Sequence, residues 1–124
     1  MNPQDRARRL IGVPYRPYGR DPRTGLDCLG LALACFDVGE DRRNGGDGRF
    51  VDERAMARSL SQHFIEVSEP QTGDLVVMRR GRRWHFAISD AETLIHADAR
   101  ARRVIRRRGD PPWPVVSRWR MKGK

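Results

Sequence analysis

The stretch that most constrains this chain is a glycine-led turn followed by an apolar run, Gly25-Leu26-Asp27-Cys28-Leu29-Gly30-Leu31-Ala32-Leu33-Ala34-Cys35-Phe36. Its apolar residues occupy nearly every position, so the segment is predicted to form a buried helix. Asp27 is a typical N-cap residue, because its carboxylate accepts a hydrogen bond from an amide in the first turn. Gly39 is a residue type that typically ends a helix. The helix is therefore expected to begin at Cys28.

Cys28 in the first helical turn is a candidate nucleophile. The helix dipole and the unpaired amides at a helix start favour the thiolate, which is the nucleophilic form of cysteine. A space-filling role is the alternative, and it fits Cys35 better. The two sulfurs cannot form an intrachain disulfide, because a separation of seven positions corresponds to about 10.5 Å along a helix.

Length and charge bound the class of protein. A chain of 124 residues suffices for one core, so residues 1–124 are predicted to form a single domain. No stretch resembles a membrane span. The net charge is +9, and residues 79–124 hold 12 Arg and 2 Lys against 4 acidic residues. Such a surface attracts polyanions, so a basic nucleic-acid-binding domain stays open as an alternative. No specific nucleic-acid partner is predicted, since charge alone supplies non-specific binding.

Helical patterns precede strand patterns along the chain. A short helix is expected over Pro3–Leu10, and another begins near Asp52 with an apolar stripe that reaches Phe64. Residues 15–25 are predicted to form an ordered loop, and residues 41–48 a flexible surface excursion.

From Pro70 onwards apolar residues recur as in strands, with turns predicted at Gly81 and at Asp90-Ala91. The five predicted strands cover 74–79, 83–89, 92–97, 103–106 and 114–119. The predicted fold is α+β, with N-terminal helices and a buried central helix packed on an antiparallel sheet of about five strands.

Two histidines on neighbouring predicted strands can meet. If Asp90-Ala91 is a two-residue hairpin loop, residues whose numbers sum to 181 face each other, and His85 and His96 meet this condition. Their Cβ atoms would then be about 5 Å apart on one face of the sheet. His63 is instead expected at the surface, near the end of its helix.

The histidine pair admits three interpretations. Together with Cys28 the two imidazoles could ligate zinc, although the sequence contains no short-spaced ligand pair. The pair could also serve only packing and hydrogen bonding. We favour catalysis, in which one imidazole takes the Cys28 proton and the other orients the first. No metal or organic cofactor is predicted.

Five short segments, in their order along the chain, resemble the signatures of the NlpC-type cell-wall cysteine peptidases. They are Gly12-Val13-Pro14-Tyr15, Gly25-Leu26-Asp27-Cys28-Leu29-Gly30, Thr72-Gly73-Asp74-Leu75-Val76, His85-Phe86-Ala87-Ile88 and Leu94-Ile95-His96-Ala97. The resemblance covers roughly residues 11–97. It implies a compact papain-like enzyme that cuts the peptide stems of peptidoglycan.

The resemblance also implies residue roles. Cys28 would be the nucleophile, His85 the general base and His96 the third member of a triad, with the Tyr15 hydroxyl near the oxyanion or the substrate.

Three further residues would contact substrate. Asp27 would meet a substrate amine. Leu29 stands where the family usually has a small residue, and Tyr18 lies in a segment, 16–20, that replaces a Trp-Gly-Gly-like loop of the family.

The Gly-Arg-Asp-Pro loop at 19–22 and the short chain look most like the branch of this family found in phage tails and gene-transfer particles. The expected partners are peptidoglycan stem peptides and proteins of such a particle. We expect synthesis in the bacterial cytoplasm without a signal peptide, followed by association with a virion or tail. An inactive structural or binding module of a tail is the alternative function.

Overall fold

The computed structural model describes residues 1–37 and 52–122. The helices in these residues are α1 (Pro3–Leu10), α2 (Cys28–Phe36) and α3 (Glu53–Leu60). The strands are β1 (Arg20–Asp21), β2 (Gly25–Leu26), β3 (Phe64–Val67), β4 (Leu75–Arg80), β5 (Arg83–Asp90), β6 (Thr93–Asp98), β7 (Arg103–Arg108) and β8 (Val115–Met121). The predicted stop at Gly39 and the predicted excursion over 41–48 lie outside the described residues. In the described part of the chain, no helix combines the length and apolar character that crossing a membrane requires.

Each of the three helices begins at a polar cap. The side chains of Asn2, Asp27 and Asp52 each accept a hydrogen bond from the amide three residues further on. The predicted limits of α1 are confirmed, and α2 begins at Cys28 as predicted. It ends at Phe36, and the next residue, Asp37, caps it in the left-handed conformation with φ of 54°.

The predicted apolar stripe of α3 is wrong at its end. The helix stops at Leu60, and Phe64 instead begins β3, where its ring packs edge-on against Phe36 with centroids 5.1 Å apart. His63, between the two elements, is exposed as predicted.

Six strands form one antiparallel sheet in the order β3-β8-β4-β5-β6-β7, and β1 and β2 form a separate two-stranded sheet within the predicted loop. The prediction of about five strands is wrong because it omits β3. Of the four residues in β3, Phe64 is buried while Ile65 and Glu66 are exposed. So short a pattern fits the end of a helix as well as a strand.

Both faces of the large sheet carry buried side chains. One face packs under α1 and α2, in a cluster that includes Ala7, Leu31, Phe36, Leu75, Val77, Phe86, Ile88 and Ile95. The other carries a smaller cluster of Val76, Met78, Ala87 and Leu94, against which Trp113 packs. Because successive strand residues alternate between faces, His85 and His96 share this second face, which we call the histidine face.

Two buried carboxylates at the large sheet form ion pairs with arginines. Asp90, at the end of β5, accepts hydrogen bonds from Arg8 Nε and Nη2 at 2.7 and 2.6 Å, and Arg106 Nη2 lies 3.2 Å from it. Asp74 accepts from Arg120 Nε and Nη2 at 2.8 and 3.0 Å. The first of these pairs joins α1 to the sheet.

Candidate active site

His85 on β5 and His96 on β6 form a hydrogen-bonded pair. His85 Nε2 and His96 Nδ1 are 2.9 Å apart, and the rings are nearly perpendicular, with interplanar angle 83° and centroids 5.0 Å apart. Both residues are buried, with 7% and 1% exposure. The predicted meeting of these two side chains is confirmed.

The predicted register of their hairpin is wrong. The observed pairs are Ile88↔Ile95, Ser89↔Leu94 and Asp90↔Thr93, whose numbers sum to 183 rather than 181. The two-residue loop is therefore Ala91-Glu92, with φ of 54° at Ala91. A shift of two positions keeps every side chain on its face, so the histidines still meet, along a diagonal rather than directly opposite.

Trp113 covers the histidine pair and is a residue that the sequence analysis missed. Its ring centroid lies 4.8 Å from that of His85 and 6.4 Å from that of His96. Arg80 Cζ in turn stands 4.8 Å from the Trp113 centroid. The available signal was an aromatic residue between two prolines in the segment that joins β7 to β8. An apolar ring in this position keeps water away from the bond between the imidazoles.

Cys28 is partly buried at the start of α2, and its sulfur lies against the backbone of β5 next to His85. Burial raises the pKa of Cys28 to about 11, while hydrogen bonds from the Phe86 and Leu29 backbone lower it. The amide at the helix start favours the thiolate as expected, but desolvation of the sulfur outweighs it and leaves the thiol neutral. Cys35 is buried, and both cysteines are free.

Both imidazoles of the pair are neutral near pH 7. Burial is the largest cause, and together with the electrostatic effects of His96 and Arg80 it lowers the pKa of His85 to about 3. Burial also lowers the pKa of His96, and the nearby Asp98 carboxylate opposes this. A neutral histidine has one ring nitrogen that accepts a proton, so the pair can act as a base.

The hydrogen bond between the rings decides which nitrogen is the base. When His85 carries its proton on Nε2 and donates it to His96 Nδ1, His85 Nδ1 is left as the acceptor. His96 then carries its own proton on Nε2, an atom that is buried and has no hydrogen-bond partner among the described residues. This tautomer is the one that a thiol-to-imidazole proton transfer requires.

Tyr15 is held beside Cys28 by its backbone. Its amide donates to the Arg102 carbonyl at 2.9 Å, and it forms an isolated parallel bridge with Leu26. Burial raises the pKa of the Tyr15 phenol, and the neighbouring Cys28 and Asp27 side chains raise it further. The phenol is therefore a neutral O–H donor at neutral pH.

The three predicted substrate contacts occupy different environments. Asp27 Oδ1 accepts from the Gly30 amide and from Arg20 Nη1, each at 2.8 Å, and Oδ2 accepts from the Tyr18 amide at 3.1 Å. Tyr18 is 57% exposed. Leu29 is partly buried and packs against the core cluster under the helices. The structure thus joins Tyr18 and Asp27 at the start of α2 and directs Leu29 towards the core.

The zinc interpretation lacks a ligand set in the described residues. Across residues 1–37 and 52–122, no group of three or more His, Cys, Asp or Glu side chains is placed to hold a metal ion.

Comparison with known proteins gives matches at the level of structure. No family model matches the chain, and no curated protein matches it.

Among solved structures, the NlpC/p60 domain of the peptidoglycan hydrolase SagA is similar over 96% of both chains, with TM-score 0.65 and 26% identity. The peptidoglycan hydrolase RipB from Mycobacterium tuberculosis matches 94% of this chain with TM-score 0.62 and 20% identity. NlpC1 from Trichomonas vaginalis matches 95% with TM-score 0.68 and 17% identity. The chain spans 61% of the RipB chain and 43% of the NlpC1 chain. These neighbours support the resemblance noted in the sequence, and by its fold the chain is an α+β protein of the NlpC/p60 type.

Proposed function

We propose that the chain is a single-domain cysteine endopeptidase that hydrolyses an amide bond in a peptidoglycan stem peptide. The similarity to the NlpC/p60 domain of a peptidoglycan hydrolase supports the substrate class. The observation that carries the proposal is the 2.9 Å contact between His85 Nε2 and His96 Nδ1. It orients His85 with Nδ1 available as a base, on the strand whose next residue, Phe86, contacts the Cys28 sulfur.

In the proposed reaction, Cys28 Sγ attacks the carbonyl carbon of the scissile amide while its proton passes to His85 Nδ1. The His85 imidazolium donates a hydrogen bond from Nε2 to His96 Nδ1, and this bond stabilises the positive charge on His85. The Cys28 amide and the Tyr15 hydroxyl donate hydrogen bonds to the oxyanion. The tetrahedral intermediate collapses by breaking the C–N bond, and His85 returns the proton to the leaving amine. Water, deprotonated by His85, then attacks the thioester and releases the acid and the Cys28 thiol.

Asp27 and Tyr18 are proposed to bind the substrate next to this centre. Asp27 already accepts three hydrogen bonds, which fixes its carboxylate for contact with a cationic amine. The exposed Tyr18 ring offers an apolar surface beside it. Leu29 packs against the core cluster, so it is not proposed to contact the substrate.

We further propose that the enzyme is made in the bacterial cytoplasm and serves wall penetration by a phage tail or gene-transfer particle. The Gly-Arg-Asp-Pro segment at 19–22 supports this placement. Mass spectrometry of purified particles checks it, since a tail enzyme co-purifies with them at a fixed ratio to a tail protein.

Purified peptidoglycan provides the test of the reaction. Cys28→Ala and His85→Ala are expected to abolish release of stem-peptide fragments while circular dichroism and thermal unfolding remain close to those of the unmodified protein. Matched controls exist in the same chain: Cys35→Ala and His63→Ala remove the same side-chain types outside the site and should retain activity.

Undiminished release by Cys28→Ala or His85→Ala would eliminate the mechanism. An unmodified protein that binds peptidoglycan without releasing fragments would favour the inactive tail module instead.

A further inference from the structure

The histidine face continues beyond the histidines into a pair of arginines. In the β4–β5 ladder, Met78 pairs with His85 and Arg80 pairs with Arg83. Since side chains recur on one face every second residue, these two pairs are neighbours on the histidine face, about 7 Å apart along the strands. Arg83 is thus the next side chain on that face of β5 before His85.

The guanidinium of Arg80 is held in place by an aromatic contact. It stands 4.8 Å from the Trp113 centroid, and Trp113 is itself 4.8 Å from His85. This cation–π geometry fixes a positive charge next to the histidine pair. Arg80 also lowers the pKa of His85, and both Arg80 and Arg83 lower the pKa of Tyr15, as expected for positive charges near these groups.

Neither arginine is neutralised by a carboxylate in residues 1–37 or 52–122. Among the described residues no ion pair involves Arg80 or Arg83, whereas Arg8, Arg20, Arg23, Arg106 and Arg120 are all in ion pairs. Like charges directly opposite in a sheet are destabilising. Asp98, a carboxylate on the same face, accepts hydrogen bonds from the Arg100 and Ala101 amides. The strand pair therefore keeps an unfavourable charge arrangement that an external anion would relieve.

We propose that Arg80 and Arg83 form a carboxylate-binding subsite beside the catalytic residues, so that the preferred substrate is a stem peptide with a free carboxylate near the scissile amide. A guanidinium matches a carboxylate with two parallel N–H···O bonds. The same peptide with that group converted to the carboxamide loses the charge and one acceptor oxygen. The inference rests on the proposed function and adds a specificity to it.

Two synthetic stem peptides that differ only in this group, acid against carboxamide, provide the test. The unmodified protein is expected to cleave the acid with kcat/KM about tenfold higher or more. In the Arg80→Gln/Arg83→Gln double variant this ratio should fall towards one, mainly through a higher KM for the acid. Arg83→Gln alone should lower it while leaving the Arg80–Trp113 contact in place. Arg54→Gln, which removes an exposed charge on α3, is the matched control and should keep the full ratio.

Equal cleavage of the two peptides by the unmodified protein would overturn the subsite while leaving the hydrolase standing. A ratio that falls as much in Arg54→Gln as in the double variant would also overturn it, because the effect would then be one of net charge. Failure to cleave both peptides and purified peptidoglycan would instead reject the proposed function on which the subsite rests. Salt-dependent binding of duplex DNA that is lost in the double variant, combined with an acid-to-amide ratio of one, would replace the subsite with a general polyanion surface.

Discussion

The thiol of Cys28 is subject to two opposing influences. The amides at the start of α2 and on β5 favour the thiolate, whereas partial burial of the sulfur favours the neutral thiol. Burial dominates and raises the pKa to about 11. A resting site with neutral sulfur and neutral imidazole must transfer the proton as the carbon–sulfur bond forms. The rate of this proton transfer then depends more on the orientation of His85 than on the intrinsic acidity of the Cys28 thiol.

The pH dependence of hydrolysis follows from the state of His85. Its pKa is lowered to about 3 by burial, His96 and Arg80, so the neutral base persists well below the usual histidine range. We expect the acidic limb of the kcat/KM profile to lie well below pH 6.5, because protonation of His85 is what removes activity. Steady-state kinetics from pH 3 to 8 measures this, with circular dichroism at each pH to verify folding. An acidic limb at or above pH 6.5 would contradict the neutral pair.

His96 acts on the reaction through His85, so its replacement should weaken activity without abolishing it. His96→Ala removes the acceptor at Nδ1 and allows the His85 ring to rotate, with an expected loss in kcat of about 100-fold. His96→Asn supplies an amide oxygen as acceptor and should retain more activity than His96→Ala. Comparison of kcat and KM for both variants on one stem peptide provides the measurement. Equal activity in the two variants would indicate that His96 serves packing alone.

The residues of the candidate site were predictable from the sequence to different degrees. Cys28 lies between a cap residue and an apolar run, and His85 and His96 lie on the two strands of a predicted hairpin, so each is marked by its local sequence. Trp113 is not, because its contact with His85 joins a connecting segment to a distant strand and depends on how the chain before β8 folds back. The protonation state of Cys28 could not be predicted from the sequence either, since the burial of its sulfur depends on the complete tertiary structure.

At the scale of elements, the start of α2 depends on a close approach to the loop before it. A Cβ built on Gly30 would lie 2.0 Å from the Gly19 carbonyl oxygen and 3.3 Å from Asp27 Oδ1. The backbone of α2 at Gly30 therefore packs directly against the backbone of the loop at Gly19. The approach places Asp27, Cys28 and the Tyr18 amide within one small region.

Gly30→Ala is expected to separate the loop from α2. Because the conflicting atom belongs to the backbone, a shift of the loop must relieve it, with an expected loss of about 2–3 kcal/mol in the free energy of unfolding. Activity should fall with it, since Asp27 and Tyr18 would move. Urea denaturation and fragment release measure the two effects. Gly81→Ala, at φ of 60° with nothing within 4 Å, is the control for glycine replacement in open space, and it should cost about 1 kcal/mol. Equal losses in the two variants would contradict the close approach.

Helix starts were predictable where strand register was not. The caps at Asn2 and Asp27 act over three residues, so the local sequence specifies them. The β5–β6 hairpin depends instead on which two residues form the loop, and a choice between Asp90-Ala91 and Ala91-Glu92 changes the register by two. β3 was missed for a related reason, because its partner β8 lies at the other end of the chain.

At the scale of the whole molecule, Asp90 at the end of β5 connects the sheet to α1 through Arg8. Its side chain is 2% exposed, whereas that of Arg8 is 47% exposed. The hydrogen bond from Arg8 lowers the pKa of Asp90, and the positive charges of Arg8 and Arg106 lower it further. Folding therefore favours the carboxylate form, and the contact should stabilise the protein only where Asp90 is ionised.

Asp90→Asn is expected to lower the free energy of unfolding at pH 7 by about 1–2 kcal/mol, a value reduced by the exposure of Arg8. Because the folded-state pKa lies below the unfolded value of about 3.9, the contribution is complete above pH 5 and is lost as pH falls through the folded pKa. Urea denaturation of both proteins at several pH values from 7 to 3 should show the difference shrinking at the acidic end. Asp5→Asn removes an exposed partner of the same Arg8 and should change stability by less than about 1 kcal/mol at every pH. A difference for Asp90→Asn that stays constant down to pH 3 would place the effect in packing of the side chain, not in the charge that ties α1 to the sheet.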